Sequence, residues 1–391
     1  MHLDGSLRLG TLIELAAERG VPLPASTPEG LIEAVFKPQY ASLDEYLQGF
    51  AYTCAVLQDP AALERAAYEL GQDCVEDGVP YVEVRFAPQL HMHPGLGFDE
   101  VLLAVDRGLR RASAEHAAAL QAAGDDAPRL RYGLIVCALR YFNGHFSRWY
   151  AQLCGLFPDA RETEVFGLAS LELARSAVRC RDQLGLPIVA FDLAGREDGF
   201  PAPAHRDAFL HAHRNFLKKT VHAGEAYGPE SIFDAITALD ADRIGHGYHL
   251  FSPELCGPGV RSPEAYVQKL AQYVADRRVT VEVCITSNLQ TNPSIGRAED
   301  HVFGRMLAEK LSATLCTDNR LISHTTVTRE VLLASRAFQM DARQLRNTII
   351  YGFKRSFYPG TYQEKRAWVR QIIDRYDRVW QAHTGDAPSA G

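Results

Sequence analysis

The chain has 391 residues, 47% hydrophobic and 23% charged, which suits a soluble globular protein with a sizeable core and fits one α/β barrel without demanding a second domain. A formal charge of −7 and a pI near 6.1 argue against nucleic acid or an anionic membrane as the main partner, leaving a small molecule or another protein. Eight scattered cysteines with no C-x-x-C pair read as reduced thiols in a cytoplasmic protein, and no signal peptide or long apolar run is seen.

Short apolar, β-branched runs recur along the chain. They predict strands over 81–86, 132–138, 188–193, 220–223, 243–245, 279–284 and 313–317. Helical patterns over 61–71, 99–123, 168–184 and 263–277 lie between them. Alternation of this kind favours a parallel sheet buried on both faces. The expectation is a (β/α)8 TIM-type barrel with extra helices, and its missing eighth strand must run into Met1-His2. Arg85, Asp192, His222, His246, Ser287 and Asp318 all fall at or just past strand C-termini, where barrels carry function. The glycine-rich G-x-G-x-x-G turn of a doubly wound sheet does not occur after any strand.

Two segments elaborate this plan. Residues 26–49 form a long excursion suited to cover the barrel mouth, and the Pro/Gly/Ser-rich stretch 251–263 reads as a substrate loop. Residues 1–383 are expected to form one barrel domain, and 384–391 to be a disordered tail.

The chemistry concentrates in a few side chains. His222 and Asp318, with His2 as third, are candidate ligands for a catalytic metal that keeps one position open for water. Glu225 lies three residues beyond His222, beside a glycine, so both can face one cavity. A carboxyl held away from bulk water there can act as a general acid. His246, at the end of the next strand, is suited to orient or deprotonate the attacking water.

These residues, in this order, resemble the adenosine deaminase family. The resemblance covers nearly the whole chain: His2-Leu3-Asp4-Gly5-Ser6, the strand 81–86, Asp192-Leu193-Ala194-Gly195, Val221-His222-Ala223-Gly224-Glu225, Gly245-His246-Gly247, Thr286-Ser287-Asn288 and Thr317-Asp318. It implies a barrel carrying one Zn²⁺ that hydrolyses the 6-amino group of adenosine and 2′-deoxyadenosine, releasing ammonia. Carried over by motif, His2, His222 and Asp318 would bind zinc, and Asp318 would also help activate the water. Glu225 would protonate the purine at N1 and His246 would steer the water. Gly195 would meet the base through its backbone, and Asp4 the ribose. The zinc deaminases of cytidine type use H-x-E and P-C-x-x-C, and neither occurs here.

Two departures stand out. The family begins its site with H-x-H, whereas here Met1 holds the middle position. The expectation is therefore a longer native chain reading His-Met-His-Leu-Asp-Gly, since a missing first strand leaves two open barrel edges. The alternative is a depleted three-ligand site. The second departure is Asn319, where most members carry the aspartate that recognises purine N7. An amide donates to that acceptor at any pH, so Asn319 fits purine binding. The H-x-H pairs His91/His93 and His211/His213 are not expected to bind the catalytic metal.

Rival readings are a deaminase of N6-methyl-AMP, aminodeoxyfutalosine or adenine, or a non-catalytic nucleoside-binding relative. A 5′-phosphate would need a cation near Asp4; Arg8 is close in sequence but is expected on the following helix. Arg85 is expected to serve equally well in a buried ion pair and is not counted in the site.

Overall fold

The computed structural model describes residues 1–385. Seven parallel strands pair in chain order: β1 Tyr81–Phe86, β2 Arg131–Leu139, β3 Ile188–Ala194, β4 Lys218–Ala223, β5 Arg243–His246, β6 Thr280–Val283 and β7 Ala313–Leu315. Helices connect them and wrap the outside, giving the expected TIM-type barrel class. The strands carry few polar residues on their outer faces because both faces are covered, and β3 is buried along its whole length.

The place of an eighth strand at the mouth is held by Met1–Leu3. Leu3 N–H donates to Arg85 O (2.9 Å) and Arg85 N–H to Met1 O (2.9 Å), while His2 N–H donates to Asp318 O on the β7 side (3.0 Å). The two sheet edges expected to stand open are thus bridged at their C-terminal ends. Below the bridge a cavity of about 430 Å³ lies between β1 and β7, lined by Met1, Val82, Glu282, Leu315 and Thr348 among others.

Most elements begin or end within a few residues of the expected bounds, and the differences have local causes. The 168–184 helix starts earlier, at Glu162, because Glu164 turns back to accept the Arg161 N–H (3.1 Å). The expected 313–317 strand ends at Leu315, although Cys316 N–H still donates to Val283 O (2.8 Å), and Asp318, three residues on, adopts a left-handed φ of 59°. Tyr362–Thr384 is a continuous helix capped by Gly385, so the tail does not begin at Thr384; residues 386–391 lie outside the described residues. No described helix is long and apolar enough to cross a membrane.

The barrel interior is not wholly apolar. Arg85 donates to Asp192 (3.1 Å) and to Glu282, and Arg243 pairs with Glu282 (2.6 Å) and with Glu83. Alternate residues of a strand share a face, so Glu83 and Arg85 both point inward from β1. Burial alone would raise the Glu282 pKa; Arg243 and Arg85 overcome it and hold the carboxyl below its ordinary range. This charged layer is the floor on which the mouth residues stand.

Candidate active site

Three of the expected side chains converge at the mouth. One ligand atom each from His2, His222 and Asp318 lie within 4.8 Å of one another, all buried. His2 Nε2 is 3.2 Å from His222 Nε2 and 3.4 Å from Asp318 Oδ1. His222 ends β4, and its Nδ1 faces the Asp192 carboxylate at 3.1–3.2 Å. Asp192 can only accept, so the imidazole proton sits on Nδ1 and Nε2 keeps its lone pair toward the cluster. Burial would raise Asp192, but His222 and Arg85 hold its carboxyl below the usual carboxylate range. Burial, then the neighbouring His222 and Arg85, push His2 well below its ordinary value, which favours its neutral form. Two lone-pair nitrogens and a carboxylate oxygen around one point are a donor set that fits a divalent cation, with Asp192 orienting one ligand from behind.

Glu225 and His246 flank this set. Gly224, at φ 67°, turns the chain off β4; a Cβ there would approach the Ile232 side chain to 2.6 Å, so the turn is packed tightly on the helix Pro229–Thr237. The turn leaves the Glu225 carboxylate 3.6 Å from His246 Nε2, with 9% of its side chain exposed. Burial, reinforced by Asp318, pushes Glu225 up to about 8. It is therefore protonated at neutral pH. His246 closes β5 with φ 61°, its Nδ1 3.2 Å from Asn288 Nδ2, and burial lowers its pKa, leaving a neutral imidazole. Ser287 donates to Asp318 Oδ2 at 2.8 Å.

The remaining expected residues line the mouth. Asp4 is buried with Oδ1 unpartnered among the described residues, and desolvation pushes it up to about 7. Gly195 follows β3 at φ 90°, a left-handed position that glycine takes without strain. Asn319 donates from Nδ2 to Tyr46 OH (2.8 Å) and leaves Oδ1 buried without a partner among the described residues, so one amide hydrogen expected to face the substrate is already committed. The histidine pairs lie elsewhere. His91 Nδ1 bonds Leu57 O (2.9 Å), His93 Nε2 bonds Gln58 O (2.9 Å), and His213 pairs with Asp240 (2.7 Å). His91 joins a separate buried group with Asp4 and Cys54.

Sequence reasoning missed two residues. Tyr46, in the helix Leu43–Leu47 of the 26–49 excursion, is buried and places its hydroxyl 2.8 Å from Ser323 and 3.5 Å from Asp318 Oδ2. The excursion therefore does reach over the mouth. Glu197 accepts from the backbone of the turn that carries Glu225. Its only signal was its place two residues after Gly195.

Fold and site together define a parallel barrel whose polar side chains gather at the strand C-termini. Known proteins narrow this further. A family model described as adenosine deaminase matches residues 1–174 and 167–375. Adenosine deaminase 1 of Streptomyces coelicolor is 36% identical over 375 residues, covering 95% of this chain and 84% of the relative. Adenosine deaminase of Mycobacterium marinum is 34% identical, covering 95% and 92%. The chain belongs to the adenosine deaminase family and is a hydrolytic deaminase by that membership. Among solved structures, adenine deaminase from Arthrobacter aurescens superposes with a TM-score of 0.72 at 19% identity, covering 96% of this chain and 97% of its own. An amidohydrolase from Burkholderia ambifaria with bound Zn gives 0.74 at 18% identity, covering 98% and 91%. At those identities the likeness concerns the fold.

Proposed function

We propose that this chain hydrolyses adenosine and 2′-deoxyadenosine to inosine and 2′-deoxyinosine plus ammonia, as a cytoplasmic enzyme of purine salvage. The observation that carries the reading is Glu225, a buried carboxyl set beside His246 at the edge of the His2/His222/Asp318 donor set, its pKa pushed up to about 8 by that burial. A divalent metal held by those three residues, zinc in this reading, would supply a water activated at neutral pH.

The chain's own groups do the rest. Glu225 hands its proton to purine N1, which makes C6 electrophilic. Neutral His246 orients the attacking water and accepts its proton, and Asp318, held by Ser287, stands ready to share it. The C6–O bond forms, His246 passes the water proton to the 6-amino nitrogen, the C6–N bond breaks to release ammonia, and the remaining C6 hydroxyl proton goes back to Glu225 as C6=O forms. Gly195 N–H meets the base, Asp4 a ribose hydroxyl and Asn319 the N7 side.

Substrate size is argued by Arg8. Its guanidinium is tied to Asp73 (2.6 and 2.9 Å), so the cation nearest Asp4 in sequence is engaged elsewhere. This supports a nucleoside over a 5′-monophosphate. The test is ammonia release from adenosine, 2′-deoxyadenosine, N6-methyl-AMP and adenine by the zinc-loaded chain. Adenosine and 2′-deoxyadenosine should give the highest kcat/KM. Turnover of adenine or N6-methyl-AMP with adenosine untouched would sink the reading.

A further inference from the structure

The carboxylate of Glu197 gathers the entire turn that bears Glu225. Its Oε1 accepts from Gly224 N–H (2.7 Å) and from the Ser231 hydroxyl. Its Oε2 accepts from Glu225 N–H (3.0 Å), Ala226 N–H (2.8 Å) and Tyr227 N–H (3.1 Å). Four successive amides pointing at one spot form an anion-binding nest just ahead of the helix Pro229–Thr237, whose dipole adds to the attraction. The nest is filled from within the chain by a buried acid with no Lys or Arg in salt-bridge range among the described residues.

The opposite side of the turn is clamped as well. Arg140 is fully buried and donates to His222 O (2.7 Å) and to Phe200 O (2.9 Å). Phe200 N–H in turn donates to Glu197 O (3.1 Å). His222, the penultimate residue of β4, and Glu225 three residues on are thus held by separate devices, one through its carbonyl and one through its amide.

We propose that Glu197 is a positioning residue for Glu225: it fixes the Gly224–Tyr227 turn so that the Glu225 carboxyl stays in the mouth beside His246. The proposal rests on the deaminase reading for what Glu225 does. Only a carboxylate meets the demand, because both oxygens must accept. An amide would set its N–H₂ against the backbone donors and leave either the pair or the trio orphaned. The negative charge has a second effect of the same sign, since it disfavours ionisation of Glu225 across the turn.

The test compares zinc-loaded wild type with Glu197→Gln, Glu197→Asp and Glu225→Gln. It reads kcat, KM, the pH profile, metal content and amide hydrogen exchange over 224–227. Glu197→Gln should lower kcat by about 100-fold, the loss that a 1 Å misplacement of a reacting group brings. KM and metal content should hold, because His222 is anchored by Arg140 and Asp192 instead. The alkaline limb of the profile should move to lower pH, the four amides should exchange faster, and Glu197→Asp should restore part of the rate. The proposal is overturned if Glu197→Gln keeps kcat within about threefold of wild type while Glu225→Gln abolishes turnover. It is equally overturned if kcat falls only in step with lost metal and the limb does not move, which would mark a merely structural role. Wild type inactive on adenosine defeats the deaminase reading alone. Amide exchange and the infrared titration of the Glu225 carboxyl, which need no turnover, then decide the positioning claim.

Discussion

His2 and His222 present their Nε2 atoms to each other across 3.2 Å, although 220 residues separate them. Two imidazole nitrogens that close, with Asp318 Oδ1 3.4 Å from His2 Nε2, form a cluster of donor atoms that suits a cation. Which nitrogen of His222 faces the site is set by Asp192, behind it at 3.1 Å.

Asp192→Asn should therefore weaken zinc without removing any ligand. The amide can satisfy His222 Nδ1 but no longer stabilises it as a charged acceptor, and the expected loss is about 10- to 100-fold in metal affinity. Competition against a chromogenic chelator measures it. Unchanged affinity would mean that Asp192 serves Arg85 alone.

Glu225 sets the pH dependence. Its pKa is raised by burial to about 8, so the proton-donating form persists through neutrality and is lost as pH rises through that value. The rate should fall along an alkaline limb, and a bound divalent cation would draw that limb to lower pH without reversing it. Glu225→Gln should remove the limb and cut kcat by about 100- to 10,000-fold while metal content stays at the wild-type level. A pH–rate series on both proteins decides this.

Arg85 carries the floor of the site. Its guanidinium faces Asp192 and Glu282, and only 8% of its side chain is exposed. Arg85→Met leaves both acids uncompensated in the barrel interior, so unfolding free energy should drop by about 3–5 kcal/mol, as measured for one-sided removal from buried pairs. Urea denaturation is the readout, and a loss below 1 kcal/mol would show that Arg243 compensates alone.

The strands were legible because each is a short run of β-branched and aromatic residues, and His222 and His246 were legible because they end such runs. What lay hidden acts through geometry that no periodicity encodes. Glu197 sits in a loop and spends both oxygens on backbone amides, which carry no sequence mark. Tyr46 belongs to a five-residue helix in an excursion whose docking is decided by tertiary packing against Ser323 and Asn319. The eighth strand was expected to run into Met1-His2, but three residues are too few to show alternation, and that their backbone bonds alone reach both sheet edges was not legible.

Gly5 touches the recognition end of the site. A Cβ added there would lie 1.8 Å from Asn319 Oδ1 and 2.8 Å from its Cβ, far inside contact distance. Gly5 itself offers a neighbour at 3.0 Å through its carbonyl, which accepts from Leu321 N–H and fixes the backbone. Gly5→Ala must therefore push the Asn319 side chain, breaking its bond to Tyr46. The overpacking penalty should appear as a rise in KM of about tenfold, with metal content and kcat little changed. Steady-state kinetics with metal analysis tests this, and an unchanged KM would place Asn319 outside the substrate's reach.

Asn319→Asp probes the same contact by charge. A carboxylic acid donates a hydrogen bond to purine N7 only while protonated, whereas the amide donates at every pH. At low pH the variant should bind and turn over much as wild type does. As pH rises the new carboxyl ionises beside Asp318, becomes an acceptor facing an acceptor, and loses its bond to the Tyr46 hydroxyl unless that hydroxyl reverses to donate. KM should climb with pH while kcat at saturating substrate holds, and wild-type KM should show no such slope. Measuring KM across the pH range for both proteins decides the matter: a flat variant profile would mean that N7 is not read by residue 319.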